Sequence, residues 1–362
     1  MHHSSIHRRH LIAAAGGFAS LVLTPSLWAK TAPLRVECVV PGRRRDEFWQ
    51  MATQAMESAA RTFGIDLTLS WGERDRAAIL VMGAVAAARR PDYMIVVNEY
   101  RTALPIMEMA GSHQVPTILG FAGFTPEDEA VKAARPEMAS SMIGDVLVDN
   151  HVAGTAMASH LITAIREQGL NRNGRIQLLA VGAPAATRTA ADRLAGLIEL
   201  AEQDGAVDVT DKAYLNWSRD AAFRWVSALL RRHPQVSGIW CANDDMALGA
   251  VDAAIAEGRR PGVDVLIVGM NWQRESLARI EKGELLASAG GHFLAGAFTL
   301  ASLRQWHDAG ASGTFSKILI PSLLNRSRLA TYQRHFANGS WAAFDFRRLL
   351  VTGDALMVER LI

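Results

Sequence analysis

Cysteine is scarce in this chain. There are two in 362 residues, Cys38 and Cys241. Each lies inside an apolar, strand-like run far from the other, so two buried, unpaired thiols are expected. No Cys/His cluster has metal-ligand spacing, and nothing in the sequence calls for a cofactor. There is no G-x-G-x-x-G, no P-loop and no G-x-S-x-G elbow, which removes the usual signatures of nucleotide-dependent enzymes and α/β hydrolases. Charge of one sign is missing too, with 38 Lys+Arg against 36 Asp+Glu. Long apolar runs are few. Leu11–Leu23 is 13 residues, where a membrane-spanning helix needs about 20.

That short run sits in a telling place. Residues Met1–Ala29 hold Arg8 and Arg9, no acid, the apolar run, then Pro25, Ser26 and a cleavage site after Ala29. Basic, apolar, then small is the order of a secretory signal peptide, and the paired arginines resemble a twin-arginine export signal. Cleavage and a periplasmic location are the expectation. The remaining chain carries 36 charges of each sign. It lacks the basic excess of a nucleic-acid binder, and no membrane-surface binding is expected. About 333 residues exceed the size at which one core stops growing, so two domains are the default.

Strand and helix alternate. Strands are expected at 34–41, 65–70, 93–97 and 116–119, with helices at 47–63, 75–90 and 103–112 between and after them. Thr125–Ile143 reads as an irregular, charged tract whose end is a natural hinge. The rhythm restarts with a helix at 150–168, then strands at 175–181, within 206–215, at 236–242 and at 265–269, and helices at 189–203, 219–233 and 246–257. The fold class is α/β: two doubly wound parallel-sheet lobes joined by a hinge. The boundaries drawn are 30–148 plus about 290–322 for the first lobe, and 149–289 plus about 323–362 for the second. Ligands of such sheets bind outside the carboxyl ends of the strands, so two lobes facing one cleft can enclose a ligand by hinge closure.

Gly238–Ala250 (GIWCANDDMALGA) runs from a strand through Asn243-Asp244-Asp245 into a helix. This segment resembles the type I periplasmic sugar-binding proteins, the ribose-binding group above all, and the resemblance extends in order along nearly all of the chain after residue 29. It implies a binding protein, not an enzyme. It also implies ligand contacts by Asp46, Phe48 and Trp49 in the loop after the first strand, by Arg193, by Trp217 at 26 residues before Asn243, and by Asn243 and Asn271. Phe121-Ala122 stand where ribose-binding proteins carry an aspartate–arginine pair, and Gly291 stands for a glutamine, with His292 its neighbour. The C-terminal part, with Trp341 and the arginine-bearing stretch Phe344–Leu350, resembles members linked to a membrane sensor.

The residue types are coherent on their own. Aromatic rings cover the apolar faces of a sugar, while amides, carboxylates and a guanidinium satisfy its hydroxyl rim. Asn98 and Glu99 end a strand at the right edge of the sheet and are candidates too. Each assignment has a structural alternative. Asn243 is also a helix N-cap, Asp46 a cap of the first helix, Trp49 a core residue and Trp217 a cover for the lobe edge. The alternative for Arg193 is a solvated helix arginine, for Asn271 a turn residue, and for His292 a structural role. Adjacent Asp244 and Asp245 suit a helix dipole. A sugar-repressor type of regulator shares the lobes but begins with a DNA-binding unit, which is not expected here. The expected partners are a small polar ligand and a membrane permease, or alternatively a membrane sensor kinase or cyclase, with the protein itself a monomer.

Overall fold

The computed structural model describes residues 33–184, 187–336 and 344–361. The expected signal segment and Trp341 lie outside the described residues. Strands and helices follow in chain order. The first lobe begins with β1 (Leu34–Val40), α1 (Glu47–Phe63), β2 (Ile65–Trp71), α2 (Arg76–Ala88), β3 (Tyr93–Val97), α3 (Ala103–Ser112), β4 (Thr117–Phe121), α4 (Pro126–Ala134) and β5 (Met142–Val148). The second comprises α5 (Asn150–Glu167), β6 (Ile176–Gly182), α6 (Arg188–Asp204), β7 (Val207–Tyr214), α7 (Arg219–Arg232), β8 (Gly238–Cys241), α8 (Asp244–Ala256), β9 (Leu266–Met270), α9 (Arg274–Lys282) and β10 (Ala287–Gly290). After α10 (Ala295–Asp308) and β11 (Phe315–Ile320) come β12 (Ser322–Asn325), α11 (Leu329–Phe336) and β13 (Ala355–Met357).

Two sheets result, ordered β2-β1-β3-β4-β5-β11-β13 and β7-β6-β8-β9-β10-β12. Every pairing is parallel except β10 with β12. Parallel strands covered by helices on both faces are apolar along their whole length, and β4, β8 and β9 are buried at every position. One apolar cluster fills the second lobe and two flank the first sheet. Cys38 in β1 and Cys241 in β8 are buried, free and in different sheets. Burial pushes the Cys38 thiol up to about 12.

Two expectations are corrected. The tract Thr125–Ile143 is not irregular: it contains α4, capped by Thr125 and Asp128 in a reciprocal box with Pro126 in the first turn, and it runs into β5. Strand β5 ends at Val148, and α5 opens the second lobe at Asn150. The chain end also divides differently, because β13 pairs with β11. Residues 344–361 therefore complete the first lobe rather than the second, where they were first drawn. The physical reason is an open edge: β11 would otherwise expose its backbone donors and acceptors, and Phe346, Leu349, Leu356 and Val358 bury themselves on the same core.

Candidate functional site

The carboxyl ends of both sheets face a single cavity of about 770 Å³, the space at its mouth included. The first lobe supplies rings. Phe48 and Trp49, in the first turn of α1, meet edge to face at 5.1 Å. Phe121, at the end of β4, lies 5.2 Å from Trp49 and 6.5 Å from Phe48. His292 stacks on Phe48 at 4.7 Å. Beside these rings, Arg74 Nε donates to Asp46 Oδ2 at 2.8 Å, and Arg43 N donates to the same oxygen at 2.8 Å. Asp46 sits at the N-cap of α1 but makes no side-chain cap bond, so its carboxylate faces the cleft instead.

The second lobe supplies fixed hydrogen-bonding groups. Helices α5 and α6 approach closely because Gly154 meets the Arg193 backbone and Gly196 meets that of His151 and Thr155, where a Cβ would collide. That closeness sets Arg193 beside the start of α5. Arg193 Nε donates to Asn150 Oδ1 at 2.8 Å, and Nη1 donates to the Ala242 carbonyl at 2.8 Å. Its Nη2 lies 3.4 Å from His292 Nε2, and its guanidinium sits 5.8 Å from the Trp217 ring centre. Arg193 is 4% exposed, so it is not the solvated arginine of the alternative reading; Arg188 is the residue that pairs with Asp192. Asn243 both caps α8, accepting from Met246 N at 3.0 Å, and lines the cavity. Asp245 Oδ2 accepts from Gln273 Nε2 at 3.2 Å.

Of the ten candidates, the cavity brings together Asp46, Phe48, Trp49, Glu99, Arg193, Trp217, Asn243, Asn271 and His292. Asn98 is not among them. Its amide turns into the lobe, donating to Asp128 Oδ2 at 2.7 Å and to the Gly123 carbonyl at 3.1 Å, and accepting from Ala103 N at 3.3 Å. Both residues follow the last residue of β3, and it is Glu99 that lines the cleft. Arg74, Asn150, Asp245, Gln273 and Phe121 also line the cavity and were not foreseen as contacts. Asn150 offered a signal, since it opens a helix directly after a strand as Asn243 does. Phe121 stands where a charged contact was missed, and it supplies a third ring in its place.

Backbone strain concentrates here. Arg74, Phe121, Trp217 and Asn271 all line the cavity with positive φ (59°, 64°, 55° and 142°). Such conformations cost about 1–3 kcal/mol each in non-glycine residues and gather at ligand clamps. The electrostatics are similarly tuned. Burial pushes the Glu99 carboxyl up to about 7, although Arg74 and Arg193 pull it back. Burial brings Arg193 down to about 9, opposed by Glu99 and Asp244, and it remains a cation at neutral pH. His292 is held well below its ordinary value by burial and then by Arg193. It is therefore neutral. Asp244 is not merely a dipole partner: it accepts from Ser288 Oγ at 2.8 Å and Gln273 N at 2.9 Å, and burial raises it to about 7. Arg74 is paired with Asp46, and Arg193 has Glu99 and Asp244 nearby. With rings on one side and planar polar groups on the other, the cavity suits a ligand with apolar faces and a hydroxyl rim.

Residues 38–293 match the family described as periplasmic binding protein domain. The chain is 27% identical over 180 residues to a D-apiose import binding protein of Paraburkholderia graminis, covering 47% of this chain and 55% of that one. It is 27% identical over 143 residues to a ribose import binding protein of Bacillus subtilis, covering 40% and 43%. The matched stretch spans about half the length of these curated relatives. The crystal structure of a periplasmic sugar-binding protein from Pseudomonas fluorescens superposes with a TM-score of 0.78 at 25% identity, over 91% of this chain and 99% of that one.

Proposed function

The chain belongs to the periplasmic binding protein family, and from that premise we propose that it is an exported receptor that encloses a neutral sugar or sugar-like polyol and delivers it to a membrane permease. The observation that carries this reading is the division of the cleft: rings from one lobe face planar hydrogen-bonding groups from the other. The rings cover C–H faces. Arg193, Asn243 and Asn271 offer donors, while Glu99 and Asp245 offer acceptors, to the hydroxyls between. The names of the relatives, binders of D-apiose, ribose and D-allose, support a monosaccharide-sized ligand. No group in the cleft is asked to make or break a bond; the work done is capture by closure.

The test is a thermal-shift screen of pentoses, hexoses, furanosides and polyols. A ligand that binds the folded form at a hundred times its Kd stabilises by about 2.7 kcal/mol, a shift that is readily seen. A panel that gives no shift, together with turnover of any member, would overturn the reading.

A further inference from the structure

Helix α9 of the second lobe has no cap of its own. Gln273 stands at its N-cap position and makes no side-chain cap bond; its amide reaches Asp245 instead. The first helical N–H, that of Arg274, donates across the cleft to Glu47 Oε1 at 2.8 Å. Glu47 is the first residue of α1, in the first lobe. Neither Glu47 nor Arg274 lines the cavity, but Asp46, Phe48 and Gln273 on either side of them do. A carboxylate at a helix N-terminus gains from the unpaired N–H groups and from the helix dipole. Helix α9 is itself held firmly. Arg219 bonds both Asp252 and Glu275, and Arg279 bonds Asp252 and Glu284. Helix α9 is thus tied to α7 and α8 of its own lobe. The segment behind it is anchored the other way: Trp272, between two lining residues, packs into the first-lobe core 5.0 Å from Tyr332 and 6.1 Å from Phe293.

We propose that Glu47 is a latch: it caps α9 from the opposite lobe, holds the cleft closed before any ligand arrives, and so sets ligand affinity without touching the ligand. The proposal rests on the two-lobe capture reading only for its effect on affinity; the latch itself is tested without any ligand. A competent closed state populated in advance raises apparent affinity in proportion to its fraction.

Two substitutions address opposite ends of the bond. Glu47→Gln keeps an acceptor but removes the charge. Arg274→Pro removes the donor. Proline is well accepted at the first helical position, and Gln273 before it is already extended, at φ −63° and ψ 148°, as a residue preceding proline requires. The helix should therefore survive. Spin labels at Gln54→Cys in α1 and Lys282→Cys in α9, both exposed, report the interlobe distance in the ligand-free protein. The parent should show a closed population. Glu47→Gln should raise the open-to-closed ratio about threefold, Arg274→Pro about tenfold, and the two together no more than Arg274→Pro alone. With D-ribose and D-apiose as probes, any measurable Kd should rise in the same order, in proportion to the loss of closed fraction and by no more than those factors. Identical distance distributions in parent and variants would overturn the latch. A shifted distribution with neither sugar bound would leave the latch standing and put the ligand class in question instead.

Discussion

The two lobes share one architecture, yet the walls they give to the cleft differ in chemistry. The first lobe's wall is Phe48, Trp49, Phe121 and Ala122, with Asp46, Arg74 and Glu99 at its edge. The second lobe's wall is Asn150, Arg193, Asn243, Asp245, Asn271 and Gln273, with Trp217 its one aromatic. The difference lies in what holds each wall still. The rings pack on one another and on the core, so their position follows from burial. The polar groups are held by bonds among themselves and to the backbone, as Arg193 is by Asn150 and the Ala242 carbonyl. A surface that merely covers can tolerate loss. A network of buried donors and acceptors cannot, because each unmatched group costs about 1–3 kcal/mol.

That contrast orders the expected effects on affinity. Arg193→Ala should have the largest. It strips the donor from Asn150 Oδ1, from the Ala242 carbonyl and from the ligand together, and should cost about 2–3 kcal/mol of binding, a factor of about 30–150. Trp49→Ala removes one ring of three and should cost about 0.5–1.5 kcal/mol. Titration calorimetry with the ligand found by thermal shift compares them. A larger loss for Trp49→Ala would reverse the division of labour between the lobes.

Glu99 sharpens the comparison differently, since it is a first-lobe acid facing the second-lobe cation. Its folded value of about 7 stands above the usual 4.3 or so of an unfolded glutamate. The folded chain therefore binds this proton more tightly. Ligand-free stability should rise as pH falls from about 7 towards 5, by at most about 1.4 kcal/mol per pH unit from this group. Above pH 7 the group's unfavourable contribution is constant. Asp244, also near 7, acts in the same direction. Glu99→Gln should remove Glu99's share of the slope in thermal melts between pH 5 and 8. An unchanged slope would mean that Glu99 is an ordinary carboxylate and that the cleft's acid is elsewhere.

Much of this was legible in the sequence, because the rhythm of apolar runs and amphipathic helices is local. The boundaries of α1, α3 and β3 matched their expectation to the residue. Cavity-lining positions after strand ends were legible too, since parallel strands deliver their carboxyl ends to one edge. Asp245 and Gln273 were not, because their place depends on how α8 and α9 meet. Helix α4 carried its own signal in Thr125-Pro126-Glu127-Asp128, a capping box with a proline start, which its charge density hid. Strand β13 is three residues long and forms the sheet edge beside β11; nothing local marks so short an element.

Asn98 is the sharpest probe, because its expected effect on binding is nil. It adjoins Glu99 in sequence, and from sequence the two are equivalent candidates. In the fold it bonds Asp128, whose carboxylate also accepts from Arg101 Nε at 2.9 Å and from Thr125. Burial alone would raise the Asp128 carboxyl, but Asn98, Arg101 and Thr125 hold it below its ordinary value. Asn98→Ala should leave this charge short of a donor and strand the Gly123 carbonyl. Unfolding free energy should fall by about 1–3 kcal/mol while the Kd stays within a factor of about two. Denaturant melts and calorimetry on the same sample separate the two quantities. A variant with intact stability and weakened binding would place Asn98 in the cleft after all. The cleft's first-lobe edge would then be more polar, and the two walls more alike, than the geometry has them.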